Sequence, residues 1–325
     1  MLDEALICDL AEQIHNAYLA SNETGNTPMT LPWADLAPAT RASNVSTVRG
    51  FVRRLQALGF DVTPMGFRSV STANLAPFSA LLAEIGHLSW LHRHQAEGWE
   101  YSPVARDPGV KVHPNLVPWE ILPERERKKE FELVQRLPEY FEGAGYAVCD
   151  AAEFPPSDLR EDILERLAEG LHRRYLEQRI EVHETVFDNA ALRPWESLSE
   201  PWKAANRAAA ARVGLLLDAA GLALSDGPRG EATSIDPADW EHCVAPLAEA
   251  WHRQWLLERA ATGWRHADGP KNPTARTHPD LVDWSVLPVA AKDKARAQVR
   301  ELPDVVQSVG LTITRELPDV AEPGG

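Results

Sequence analysis

Near the amino terminus, Leu6, Leu10, Ile14 and Tyr18 recur at steps of four, which lines them along one face of an α-helix. The same stretch carries Glu12, His15 and Tyr18 in the pattern E-x-x-H-x-x-aromatic. That pattern returns as Glu84/His87/Trp90, Glu169/His172/Tyr175 and Glu249/His252/Trp255, so the chain is an internal repeat. After each triplet comes a Trp with a Leu three residues on: Trp33/Leu36, Trp119/Leu122, Trp195/Leu198 and Trp284/Leu287. A Gly then follows that Trp at a fixed offset of 26 residues, as Gly59, Gly145, Gly221 and Gly310. The spacings predict four segments, at about 2–63, 78–148, 161–224 and 244–313, with a tail over 314–325.

Each segment reads as helix, connecting arm, second helix and short strand. The block after the arm opens on Leu122-Pro123-Glu124 or Leu287-Pro288, where Pro suits a first helical turn. It closes at the fixed Gly, a natural helix C-terminus, before β-prone tails such as Tyr146-Ala147-Val148 and Leu311-Thr312-Ile313. Pro138 and Pro303 fall inside the second helix at matching places and predict a kink. Turn-rich stretches from Thr63-Pro64, Phe154-Pro155 and Ser225-Asp226 onward read as linkers.

Arm length sorts the repeats. From His to the W-x-x-L Trp the arm spans 32 residues in repeats two and four, 18 in repeat one and 23 in repeat three. The long arms share a further set of residues: Trp99, Tyr101, Arg106, Lys111 and His113 in repeat two, and Trp264, His266, Lys271, Arg276 and His278 in repeat four. The order short-long, short-long describes a duplicated pair.

The string H-x-x-W, G-W-x-Y, K-x-H-P-x-L-V-P-W and a closing G-Y resembles the RyR repeat, the ryanodine-receptor repeat domain, which also occurs in bacterial and phage proteins. The resemblance is specific in repeats two and four and weaker in the trimmed repeats one and three. It implies a mainly helical α+β module with short β-strand pairs, working in tandem pairs. It further implies an adenine nucleotide held between aromatic residues of the H-x-x-W helices. Carried over, that role falls on Trp90 and Trp255, facing Tyr18 and Tyr175 or each other. Arg106, Lys111, Lys271 and Arg276 would then stand near phosphates. Tyr in place of Trp in repeats one and three, His266 in place of the arm Tyr, and Asp283 in place of the Pro before Trp284 depart from the pattern.

Composition narrows the partners. Lys plus Arg number 33 against 48 Asp plus Glu, a formal charge of -15, which disfavours bulk nucleic acid. No apolar run is long enough to cross a membrane, and the acidic Met1–Glu4 lacks the order of a secretion signal, so a cytoplasmic protein is expected. Cys8, Cys149 and Cys243 suit neither a disulfide framework nor a thiolate metal site. Tryptophan, present 11 times against 5 Tyr and 8 Phe, is the outlier, and its ring suits stacking on flat ligands.

Aromatic planes hold bases at roughly 1–3 kcal/mol each, and neighbouring cations contribute charge-assisted bonds to phosphate. Trp33, Trp119, Trp195 and Trp284 recur with or without the arm, which points to a structural role, while Trp99 and Trp264 either pin the arm or line a site. His113 and His278 either touch ligand or pack. Glu-x-x-His pairs on facing helices build di-iron sites, but repeat three has almost no carboxylates over 204–217. A Glu–His hydrogen bond that fixes the helix is therefore expected, and neither metal nor cofactor. No nucleophile elbow, P-loop or dinucleotide fingerprint is present.

The first functional expectation is a non-enzymatic binder of a nucleotide-derived small molecule: an ADP-ribose derivative, a cyclic nucleotide or an ATP-like compound. Such a chain would act as a sponge or sensor in bacterial antiviral signalling, alone, as a homo-oligomer or with an effector protein. The second is a protein interaction scaffold in which the Trp residues are core. A metal-dependent enzyme ranks third.

Overall fold

A computed structural model describes residues 4–21, 31–65, 73–104, 106–151, 153–155, 158–181, 191–226 and 234–316. The chain divides into two compact units, Met1–Leu91 with Trp99–Pro155, and His92–Gly98 with Pro156–Gly325.

In the first unit, helix α1 (Glu4–Ser21) packs on α2 (Pro38–Ala57) and α4 (Glu124–Gly143). Helix α3 (Ser79–Ala96) opens the second repeat, and its arm holds the two-residue strands β2 (Glu100–Tyr101) and β3 (Val112–His113). Strands β1 (Phe60–Pro64) and β4 (Tyr146–Asp150) close the two repeats. Of the face the periodicity marked, Leu10 is fully buried and Leu6 and Ile14 are half-buried; Ile7, one residue away, is fully buried, as are Leu55, Phe60, Leu82, Ile85, Leu88, Leu137 and Phe141. Burial of such side chains is worth about 1.5–3 kcal/mol each against exposure.

The second unit repeats this order. Helix α5 (Glu161–Glu181) packs on α6 (Glu200–Ala219), and α7 (Pro237–Ala261) packs on α8 (Val289–Arg300). The arm of α7 carries β6 (Arg265–His266) and β7 (Thr277–His278). Helix α9 (Leu302–Ser308) then leads into β8 (Leu311–Arg315), the partner of β5 (Leu222–Asp226).

One five-residue strand per repeat explains why repeats come in pairs. An isolated strand leaves its backbone N–H and C=O groups without partners. Strand β1 meets β4 antiparallel, with Phe60 opposite Asp150 and Pro64 opposite Tyr146. Strand β5 meets β8 in the same way, with Leu222 opposite Arg315 and Asp226 opposite Leu311. A short repeat therefore pairs with the long one that follows it.

The fixed glycines end the second helices as expected. Gly59, Gly145, Gly221 and Gly310 all have φ between 71° and 82°, a left-handed conformation that costs residues with a Cβ about 1–2 kcal/mol. The two prolines behave differently from one another. Helix α4 runs through Pro138 without interruption, whereas Pro303 follows a one-residue break at Glu301 that separates α8 from α9.

Some expected linker residues belong to strands. Thr63 and Pro64 pair with Ala147 and Tyr146, and Ser225 and Asp226 with Thr312 and Leu311. Strand β8 likewise runs to Arg315, past the expected start of the tail, because Arg315 pairs with Leu222. The rest of the tail, 317–325, lies outside the described residues, as do 22–30 and 182–190 in the trimmed arms. Among the described residues no helix is long and apolar enough to cross a membrane, and no group of His, Cys, Asp and Glu could hold a metal ion.

Candidate functional site

The four histidines of the first helices do one job four times. His15 Nε2 donates to the carbonyl of Leu31 at 2.8 Å, and His87 to Val117 at 2.7 Å. His172 donates to Arg193 at 2.7 Å and His252 to Val282 at 2.9 Å. Each acceptor lies two residues before the W-x-x-L Trp. The ring of that Trp then leans on the histidine at 5.7, 5.8, 5.9 and 5.7 Å, with interplanar angles of 52–54°. The histidine thus clips the far end of the arm to the first helix. This corrects the expected partner: the described bond runs to an arm carbonyl and not to the glutamate one turn earlier. The reason is reach, since the arm returns over the histidine face of the helix. Burial holds the imidazoles of His87 and His252 below their ordinary value, so the rings are neutral donors.

The two long arms fold alike. Strand β2 runs parallel to β3, with Tyr101 opposite His113, and β6 runs parallel to β7, with His266 opposite His278. The turn before the second strand places Lys111 at φ 52° and Arg276 at φ 51°, a left-handed conformation uncommon for residues with side chains. Two residues after each turn a histidine enters the site. His113 Nδ1 accepts the Asn115 N–H at 3.0 Å, and His278 Nδ1 accepts the Asp280 N–H at 3.0 Å. An accepting Nδ1 carries no proton, so the neutral ring presents Nε2–H. Burial is the main cause that keeps both rings below their ordinary value; nearby cations act in the same direction, Arg106 on His113 and Lys271, Lys294 and Arg259 on His278.

These histidines stand edge-on to the helix tryptophans, Trp90–His113 at 5.0 Å and Trp255–His278 at 5.1 Å. In repeat four the result is a cleft of about 210 Å³ lined by Trp255, Trp264, Lys271, His278, Arg259 and Lys294 on its aromatic and cationic sides. Asp280, Ala291, Ala295 and Gln298 complete its wall, with Trp251 and His252. The Arg259 guanidinium lies 6.0 Å from the Trp255 ring centre and 5.1 Å from that of Trp264, and Lys271 Nζ lies 5.7 Å from Trp264. In repeat two Arg106 covers Trp99 at 5.2 Å, and Trp99 meets His113 at 6.4 Å.

The fold therefore joins Trp255, Trp264, Lys271 and His278 in one cleft, and brings Trp90, Trp99, Arg106 and His113 into contact in repeat two. Other candidates stand elsewhere. Arg276 donates through Nη1 to the Thr262 carbonyl at 3.0 Å, capping the end of α7. It lines a separate shallow depression with Gly263. Tyr175 is stacked by His172 at 6.3 Å and by Arg179 at 5.4 Å, and does not line the Trp255 cleft. The side chain of Tyr18 lies outside the described residues. Tyr101 is 56% exposed and Lys111 is exposed on its turn.

Arg259, Lys294 and Asp280 were not legible as site residues. Arg259 sits one turn after Trp255 on the same helix face, a spacing that could have marked it. Lys294 arrives on α8 from a separate part of the chain, which no local pattern reports.

The family model for the RyR domain matches residues 67–150 and 233–315, which hold the two complete repeats. No curated protein matches the chain.

Proposed function

The chain belongs to the RyR domain family, and on that footing we propose that it is a non-enzymatic binder of a nucleotide-derived small molecule, held at the helix–arm cleft of its complete repeats. The observation that carries the proposal is the repeat-four cleft itself, where three indoles, two histidines and three cations converge on one concavity. Indole faces offer stacking to any planar base, and Arg259, Lys271 and Lys294 offer charge-assisted bonds to phosphate oxygens. His278 adds a neutral N–H donor whose tautomer the Asp280 amide fixes.

Size constrains the ligand. Drug-sized pockets run to about 300–1,000 Å³, so a cleft of about 210 Å³ encloses a planar ring and leaves the remainder of the molecule outside. Lys271 and Lys294 of its lining are exposed and can meet that remainder. A chain built of such repeats would sequester or sense the signalling molecule, and bacterial antiviral signalling is the setting we propose for it.

The test is a titration of adenosine into the full chain, read by tryptophan fluorescence and calorimetry, with mass spectrometry of the released compound. Binding that falls at least tenfold in Trp255→Ala with the melting temperature retained, and adenosine recovered intact, is the expected result. Normal binding in both Trp90→Ala and Trp255→Ala, or turnover of the compound, defeats the proposal.

A further inference from the structure

The two complete repeats share a fold but not a charge pattern. In the repeat-four cleft, Arg259, Lys271 and Lys294 stand against a single carboxylate, Asp280. Counting along repeat two from the shared Trp and His-Pro positions, Arg106 and Lys129 occupy the places of Lys271 and Lys294, while His94 replaces Arg259 and Asn115 replaces Asp280. Glu126 and Glu130 replace Ala291 and Ala295. The alanines lend the repeat-four wall no charge.

Glu126 is at the corresponding place in three dimensions as well. Its Oε2 accepts from Asn115 Nδ2 at 3.2 Å, and Asn115 is the residue whose amide fixes His113. Its charge bears on the His113 ring. Lys129, the counterpart of Lys294, places Nζ 3.0 Å from both Glu126 oxygens, and Arg125 Nε lies 3.0 Å from the same carboxylate. The lysine that would meet an anion is thus held by a fixed carboxylate in repeat two. In repeat four the position beside it is an alanine, and Lys294 is exposed.

We propose that the complete repeats accept different charges: repeat four holds a phosphoryl group among Lys294, Lys271, Arg259 and the Nε2–H of His278, whereas repeat two, with Glu126 in its wall, excludes phosphate and takes a planar group without one. This rests on the arms being binding sites. The physical ground is that Glu126, held by Lys129 and Arg125, already occupies the cations that an anion at the repeat-two wall would meet, and like charges at contact distance oppose it. At repeat four three cations meet one carboxylate. The chain therefore has one anion site and not two.

Inorganic pyrophosphate, titrated by calorimetry into the full chain at low ionic strength, tests the charge assignment without a base. One site per chain is expected. Lys294→Glu and Ala291→Glu each weaken it at least tenfold, Lys129→Glu leaves it unchanged, and Glu126→Ala adds a second site. Lys294→Ala, a milder change at an exposed position, keeps the test valid should Ala291→Glu fail to fold. No pyrophosphate binding, two equal sites in the wild type, or equal losses in Lys129→Glu and Lys294→Glu overturn the proposal. Adenosine titrated in parallel separates the two ideas. Adenosine bound with pyrophosphate ignored overturns the charge assignment alone; pyrophosphate bound at repeat four with adenosine ignored overturns the stacking site and leaves the anion site standing.

Discussion

Replacing His252 by alanine removes the clip that fastens the repeat-four arm, and its cost can be worked from the geometry. The Nε2–H donor to Val282 disappears, leaving a half-buried carbonyl without its partner, which costs about 1–3 kcal/mol. The ring also gives up its packing against Trp284 at 5.7 Å and Trp255 at 5.5 Å, worth about 0.5–1.5 kcal/mol for an aromatic pair. A loss of roughly 2–4 kcal/mol is expected, inside the usual ceiling for single substitutions. For a unit of this size that lowers the melting temperature by about 2–4 °C per kcal/mol, hence on the order of 10 °C. Differential scanning calorimetry of the full chain measures it. His172→Ala is the control, because the same bond at 2.7 Å and the same tilted Trp195 at 5.9 Å occur in a repeat without the long arm. Equal losses in the two variants identify a scaffold device. A shift under about 2 °C in either, or loss of adenosine binding by His252→Ala at an unchanged melting temperature, refutes the reasoning.

Other consequences are as direct. His87, His113, His252 and His278 are all held below their ordinary value, burial being the first cause in each. The unfolded chain then takes up protons more readily, so the stability these neutral rings contribute is fully present above the ordinary value of about 6.5 and is lost as pH falls from there toward the folded values. Burial raises the carboxyls of Glu130 and Glu249, which act with the opposite sign, so the assay uses a Glu130→Gln, Glu249→Gln background: melting temperatures at pH 7.5 and 5.5, at constant ionic strength, should fall on acidification, and a flat profile counts against it. Gly170 lies where α5 crosses α9, and a Cβ there would stand 2.9 Å from Val309 Cγ1 and 3.4 Å from Val305 Cγ1. Gly170→Ala should cost about 1–3 kcal/mol by overpacking, read as a lowered urea midpoint, and an unchanged midpoint would mean that the helices give way freely. Arg276→Ala should lower stability by only about 0.5–1 kcal/mol, the worth of an exposed cap on Thr262, and should leave adenosine affinity intact. A tenfold loss of adenosine binding would return Arg276 to the ligand site.

Much of the architecture was legible because it is local. The apolar step of four put Leu10 in the core with Leu6 and Ile14 half-buried beside it, and the fixed glycines marked four left-handed helix ends, since both are decided within a turn or two of backbone. The recurrence of the W-x-x-L Trp pointed to its structural role, whereas the choice left open for His113 and His278 was decided by the fold, which packs them edge-on to the helix Trp. Equal prolines gave unequal helices, however: the same residue type interrupts repeat four and not repeat two, so the outcome depends on the packing around it and not on proline alone.

The sequence by itself determined four helix–arm–helix–strand modules and which residue types ride on each arm, because spacing reports what neighbours along one helix or turn must do. Only the tertiary structure decided partners. The clip histidines meet carbonyls that lie 16 to 30 residues away, at a point set by the path of the returning arm. Arg276 turns to the end of α7 while Lys271 turns to Trp264, although both are cations of one arm. Lys294 and the alanines beside it reach the cleft on a second helix, which is folded against the first and adds one cation and no carboxylate to the site.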